Sequence, residues 1–98
     1  RNNTITGNTV QNNGHGIILE SSSNNNTITG NTIQNNGNYG IRLTSSSSNN
    51  TITGNTVKSN SSTNIIIDSG CNYNLICTNQ HSGSITNEGT GNKVYNNK

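Results

Sequence analysis

The apolar residues of this 98-residue chain fall on fixed columns of one repeated unit. Asn3-Thr4-Ile5-Thr6-Gly7-Asn8-Thr9 returns at residues 26–32 and 50–56, and two eroded copies begin at Asn74 and Asn92. The leading Asn marks periods of 23, 24, 24 and 18 residues, the range of a solenoid. Ile5, Ile28, Ile52, Ile76 and Val94 share one column, and Asn8, Asn31, Asn55, Asn79 and Asn97 another.

Each coil reads as three short strands separated by turns. Thr4-Ile5-Thr6 alternates polar, apolar, polar, as a strand with one buried face should. Gly7-Asn8 supplies a corner, since both residue types tolerate left-handed backbone. Thr9-Val10-Gln11 starts a second strand with Val10, Ile33 and Val57 inward, and Asn12-Asn13-Gly14 turns again. A third strand turns Ile17 and Leu19, Ile41 and Leu43, then Ile65 and Ile67 inward, leaving Ile18, Arg42 and Ile66 outside. A helix would need apolar residues three and four apart and would not tolerate this density of Asn, Thr, Ser and Gly. The expectation is therefore one all-β domain, a parallel β-helix with coils at 3–25, 26–49, 50–73 and 74–91 and a partial coil at 92–98.

The fourth coil is shorter and more polar. His81 takes the column of Val57, and Asn87 that of Ile67 if Ile85 aligns with Ile65. A terminal coil must cover apolar side chains and blunt an open edge, so this coil reads as a cap. These residues show no matching cap at the first coil, whose edge is expected to be open to another chain; Arg1 in place of Met suggests a processed chain or an excised piece.

Composition alone would suggest a disordered polar tract, with 23% hydrophobic residues and no Phe, Trp, Met or Pro. The repeat overrules this, because each coil needs only a few inward apolar residues while its backbone bonds to the coils above and below. The net charge of +2 comes from scattered residues that form no cationic stripe, which argues against a nucleic-acid partner. No apolar run is long enough for membrane insertion as a helix, and none of these residues is expected to act as a signal peptide.

Where Asn-Thr-Ile-Thr-Gly-Asn-Thr runs on into Gln34-Asn35-Asn36-Gly37 and Gly40-Ile41-Arg42-Leu43, the chain resembles the right-handed parallel β-helix repeats of the pectate-lyase-like superfamily. It is most similar to the repeats of NosD-type periplasmic proteins and of bacterial and archaeal surface proteins. The resemblance covers residues 3–73 strongly and 74–98 in degraded form. It implies a right-handed coil and a place outside the cell, at its surface or in the periplasm. It implies no one function, since lyases, hydrolases, adhesins and spacers share this coil. Copper maturation does not carry over, because the ligands it would need are missing from this segment.

Candidate chemistry is sparse. Polysaccharide-cleaving members of the superfamily use clustered carboxylates, often with calcium, and this chain has only Glu20, Asp68 and Glu88. Glu20 and Asp68 share a column two coils apart, roughly 10 Å, with Arg42 of the middle coil diagonal to both; surface ion pairing explains them without catalysis. His15, in the column of Tyr39, and His81 stand alone, so no metal or other cofactor is expected. Cys71 and Cys77, six apart, match no zinc or redox motif. They form either a disulfide stapling the corner into the fourth coil or two unpaired small residues. Asn2, Asn25, Asn49 and Asn60 head N-glycosylation sequons, three of them in one corner column. Thr4, Thr6, Thr27, Thr29, Thr51 and Thr53 form two outward ladders that resemble the ice-contacting faces of β-helical antifreeze proteins, although Thr also stacks well in any sheet.

The expected function is a non-catalytic structural module of a secreted or cell-surface protein: a stalk, an adhesin segment or a head-to-tail filament subunit. Its partners would be further copies of itself, through coil stacking, or other surface proteins. The alternatives are a carbohydrate-binding or carbohydrate-processing face at His15, Tyr39 and Arg42, and an ice-binding Thr face.

Overall fold

The computed structural model describes residues 1–98 and contains strands and turns with no helix. The first coil contributes β1 (Thr4–Thr6), β2 (Thr9–Gln11) and β3 (Ile17–Leu19). The second contributes β4 (Thr27–Thr29), β5 (Thr32–Gln34) and β6 (Ile41–Leu43), and the third β7 (Thr51–Thr53), β8 (Thr56–Lys58) and β9 (Ile65–Ile67). The fourth holds β10 (Leu75–Cys77), β11 (Gln80–His81) and β12 (Ile85–Asn87), and β13 (Lys93–Tyr95) begins a fifth row. These strands stack into three parallel sheets, β1-β4-β7-β10-β13, β2-β5-β8-β11 and β3-β6-β9-β12, which make a β-solenoid of about four turns.

Strand register follows the columns of the sequence. Ile5 pairs with Ile28, Ile28 with Ile52, Ile52 with Ile76 and Ile76 with Val94. The shortened coil keeps the alignment, with His81 opposite Val57, Ile85 opposite Ile65 and Asn87 opposite Ile67. Every inward residue of the two middle coils, Ile28, Ile33, Ile41, Leu43, Ile52, Val57, Ile65 and Ile67, is fully buried. Ile5, Val10, Ile85 and Val94 in the outer rows are only partly covered. Each fully buried Ile stabilises the fold by roughly 1.5–3 kcal/mol over leaving it in water, so the middle coils carry most of the apolar stabilisation.

Asparagine supplies what so thin a core cannot. The leading Asn column turns inward at the corner, with Asn26, Asn50 and Asn74 buried. Each backbone N–H and side-chain amide in it donates to the Oδ1 one coil on, as from Asn26 to Asn50 at 2.8 and 3.1 Å. The column of Asn8, Asn31, Asn55, Asn79 and Asn97 does the same, and its Nδ2 groups also reach back to strand carbonyls, as from Asn55 to Ile28 O at 2.9 Å. A third ladder runs through Asn13, Asn36 and Asn60 and closes on Asn64, within the coil that contains Asn60. The turn Asn12-Asn13-Gly14 gave no sign of it, because spacing along the chain cannot tell a turn Asn from an inward one. Buried corner backbone needs partners, and a primary amide stacked at the inter-coil spacing offers donor and acceptor together.

The corners also correct one expectation. Gly54 adopts a left-handed backbone with φ 68°, but Asn55 beside it does not, so glycine alone makes the bend. In the fourth coil Thr78 takes that place with φ 58°, a costly conformation for a β-branched residue. Gly40 is required for another reason: a Cβ there would collide with the carbonyl of Asn64 and with Val57.

Candidate functional site

The most chemically varied surface lies outside the third sheet, around β6. Tyr39 and His15, in adjacent coils, stack with ring centroids 6.0 Å apart and planes 17° from parallel. Arg42 projects outward between the inward Ile41 and Leu43 and lays its guanidinium over Tyr39, 5.0 Å from the ring centroid. Its Nε and Nη2 both donate to Asp68 Oδ2, at 3.1 and 2.7 Å. The hydrogen bond to Asp68 is the largest influence on Arg42 and raises its pKa, against a smaller opposing effect of burial. Both side chains stay partly in water, 33% and 20% exposed, so the pair contributes about 0–1 kcal/mol.

Of the two acids that flank Arg42 in the sequence pattern, the structure joins only one to it. Glu20 is exposed and makes no ion pair. Glu88 joins the same column: its N–H bonds Ile67 O as the N–H of Asp68 bonds Leu43 O. The alignment of Asn87 with Ile67 held the signal for that placement. His15, in the turn before β3, and His81, in β11, each keep a buried Nδ1 with no hydrogen-bond partner and are separated by three coils.

The six array threonines occupy the outer face of the first sheet in register, Thr4 with Thr27 and Thr51, and Thr6 with Thr29 and Thr53. Leu75 and Cys77 continue these columns in β10, and Lys93 and Tyr95 in β13. Cys71 and Cys77 are free thiols. Cys71 is buried with the core, whereas Cys77 lies on the outer face 3.7 Å from Thr53 Oγ1. Cys77 also raises the pKa of the adjoining Tyr95 phenol, first through its charge and then through a hydrogen bond.

The four sequon asparagines divide by environment. Asn2, Asn25 and Asn49 are exposed, with φ of 58°, 61° and 58°, and Tyr73 holds the same left-handed corner in the fourth coil. Asn60 is only 9% exposed, and its Nδ2 is bonded to Asn64 Oδ1 at 2.9 Å, so its amide belongs to the third ladder rather than to solvent. The surface hollows are shallow; one of about 450 Å³ at the corner after β7 is lined by no hydrophobic residue, unlike the apolar clefts that hold small substrates. No helix is long and apolar enough to cross a membrane.

The model of a protein family described as periplasmic copper-binding protein (NosD) matches residues 1–98. The donors of this chain do not fit a copper site: it has no Met, Cys71 is buried with the core, and no three His, Cys, Asp or Glu side chains converge. No curated protein and no solved structure matches the chain. A match over every residue, on a parallel solenoid whose columns obey the repeat, places this chain in the NosD family of periplasmic β-helix repeat proteins.

Proposed function

We propose that this chain is a non-catalytic structural segment of a periplasmic or surface protein, serving as a stalk, an adhesin portion or a unit that stacks end to end. The observation that supports this most is where its polar side chains go. The inward asparagines are engaged in ladders from coil to coil. The acids do not make a catalytic pair. Glu20 and Asp68 are two coils apart, roughly 10 Å, and Asp68, the acid with Glu88 in the next row, is held by Arg42. Glycoside cleavage needs two carboxyl groups free to act across one bond.

Electron microscopy of the purified chain over a concentration series tests the stacking form of this proposal. Rods that lengthen with concentration are expected, and strictly monomeric particles at every concentration would eliminate stacking while leaving a stalk. Depolymerisation of an acidic polysaccharide that disappears in Asp68→Asn would overturn the non-catalytic reading.

A second reading has one observation in its favour. The His15–Tyr39 stack with the Arg42 guanidinium over Tyr39 gathers aromatic rings and a charged group on one half-exposed surface, a combination suited to a sugar ring. A glycan array without hits would remove it. The copper named in the family description is not part of either proposal, since the donors do not converge.

A further inference from the structure

The outer face of the first sheet changes character at the fourth coil. In the three coils before it this face shows only threonine, Thr4 and Thr6, Thr27 and Thr29, Thr51 and Thr53, and the corner leading into each strand is Asn2, Asn25 or Asn49. In the fourth coil the corner is Tyr73 and the outward pair is Leu75 and Cys77, with Lys93 and Tyr95 following in β13. Capping explains the polar residues that this coil turns inward, but outward side chains cover no core, so the fold gives no reason for apolar ones. Exposed apolar side chains grouped on one face mark contact with something else.

Tyr73 is the sharpest departure. It holds the corner with φ 58°, a backbone that Asn accepts and a bulky residue rarely adopts. Its N–H donates to Thr90 O at 3.1 Å, and its ring passes over Gly91, where a Cβ would stand 2.6 Å from Cε1 and 2.7 Å from Cδ1. The next coil thus seats the ring, while 65% of the residue stays exposed. Backbone strain of this kind gathers at functional sites. Tyr73, Asn74, Leu75, Gly91, Lys93 and Tyr95 together line a hollow of about 360 Å³, at the small end of the roughly 300–1,000 Å³ of small-ligand sites. Tyr73 and Leu75 have a coil on either side and the hollow faces sideways, so coils stacked end to end would leave it open.

We propose that this hollow binds an aromatic carboxylate, its ring against Leu75 between the two tyrosines and its carboxylate at Lys93. Aromatic rings stack favourably on one another, and Lys93 brings the one charge on this face of the sheet. Glu20, Asp68 and Glu88 all follow the third sheet, so none of them repels an anion here. A sugar is the poorer fit, because it needs several hydrogen-bonding side chains and the amide of Asn74 is already taken. Its Oδ1 accepts from Asn50 N–H at 2.8 Å and Asn50 Nδ2 at 3.1 Å, and its Nδ2 donates to Asn92 Oδ1 at 3.0 Å. The site is distinct from the surface of His15, Tyr39 and Arg42 outside the third sheet, and it rests on neither reading given above.

The test titrates the full, isotopically labelled chain with phenylacetate and follows its amide resonances. Shifts should be confined to residues 73–77 and 91–95. Phenylacetamide, the neutral isostere, and acetate, which has no ring, should each bind about tenfold or more weakly, the ratio for losing one charge-assisted hydrogen bond or one stacked ring. Tyr73→Asn installs the residue type that holds this corner in the first three coils. It should keep the fold, with no loss in urea midpoint, and weaken phenylacetate by about tenfold. Lys93→Gln alters an exposed side chain; it should weaken phenylacetate by about tenfold and leave phenylacetamide unchanged. No shift up to the solubility limit of phenylacetate, equal binding of phenylacetamide, unchanged affinity in Tyr73→Asn, or a preference for galacturonate over phenylacetate would each overturn the proposal.

Discussion

Removing one rung of an asparagine ladder tests whether stacked amides, and not only the apolar columns, hold the coils together. Asn55 is 1% exposed. Its Oδ1 accepts from Asn31 N–H and Asn31 Nδ2, both at 3.0 Å. Its Nδ2 donates to Ile28 O at 2.9 Å, Thr53 O at 3.2 Å and Asn79 Oδ1 at 3.0 Å. In Asn55→Ala all five bonds go. Asn31 Nδ2 keeps Ile5 O and Thr29 O, and Asn79 Oδ1 keeps the backbone N–H of residue 55. The N–H of Asn31, however, is left buried with nothing to bond.

A buried orphan of that kind costs about 1–3 kcal/mol, and each lost bond adds a net ~0.5–1.5 kcal/mol, with substantial non-additivity. A total near 3–5 kcal/mol is expected, a large share of the roughly 5–15 kcal/mol that holds a domain folded. Equilibrium urea unfolding followed by circular dichroism measures it, with the slope checked so that a change in midpoint reports stability. Asn49→Gly is the control: Asn49 is exposed with φ 58°, which Gly accepts, so a change within about 0.5 kcal/mol is expected. A loss below about 1 kcal/mol for Asn55→Ala would mean that the ladder only fills space.

Three further outcomes follow from the same geometry. Ile28→Asp buries a charge at a fully inaccessible core position, costs several kcal/mol, and should abolish the cooperative thermal transition; a retained transition would mean that the first column is not inward. Thr78→Gly relieves left-handed backbone at an exposed β-branched residue and should raise stability by about 1 kcal/mol, so a lower urea midpoint would contradict it. Arg42→Ala removes a solvent-screened ion pair and should change stability by less than about 1 kcal/mol, whereas a larger, salt-sensitive loss would assign that pair a structural role.

Much of this fold was legible along the chain because a solenoid converts sequence period into spatial neighbourhood. A residue 23 or 24 positions on lies one coil above, so the columns of Ile28 and Ile52, or of Thr29 and Thr53, were neighbours before any coordinate was known. Even the shortened coil aligned correctly, since strand pairing carries Ile85 onto Ile65 across the lost turn residues. The candidate site was legible in part: the period set His15 below Tyr39 and placed Arg42 between Glu20 and Asp68. It could not say which carboxylate Arg42 would take, because both are about one coil away, and side-chain rotation decides between them.

What the sequence determined by itself is therefore the periodic part: the strands, their parallel register, the inward columns and the polar fourth coil. Those follow from alternation and repeat length, which are properties of the chain. The repeat also set Asn8, Asn31, Asn55, Asn79 and Asn97 in one column of stacking amides, but only the tertiary structure decided what the other asparagines do. Asn60 bears a sequon yet is buried in a ladder, and Asn49 bears one and faces water. An amide is both donor and acceptor, so its role is set by the partners that the coil above and the coil below bring within 3 Å, and no local pattern contains that information.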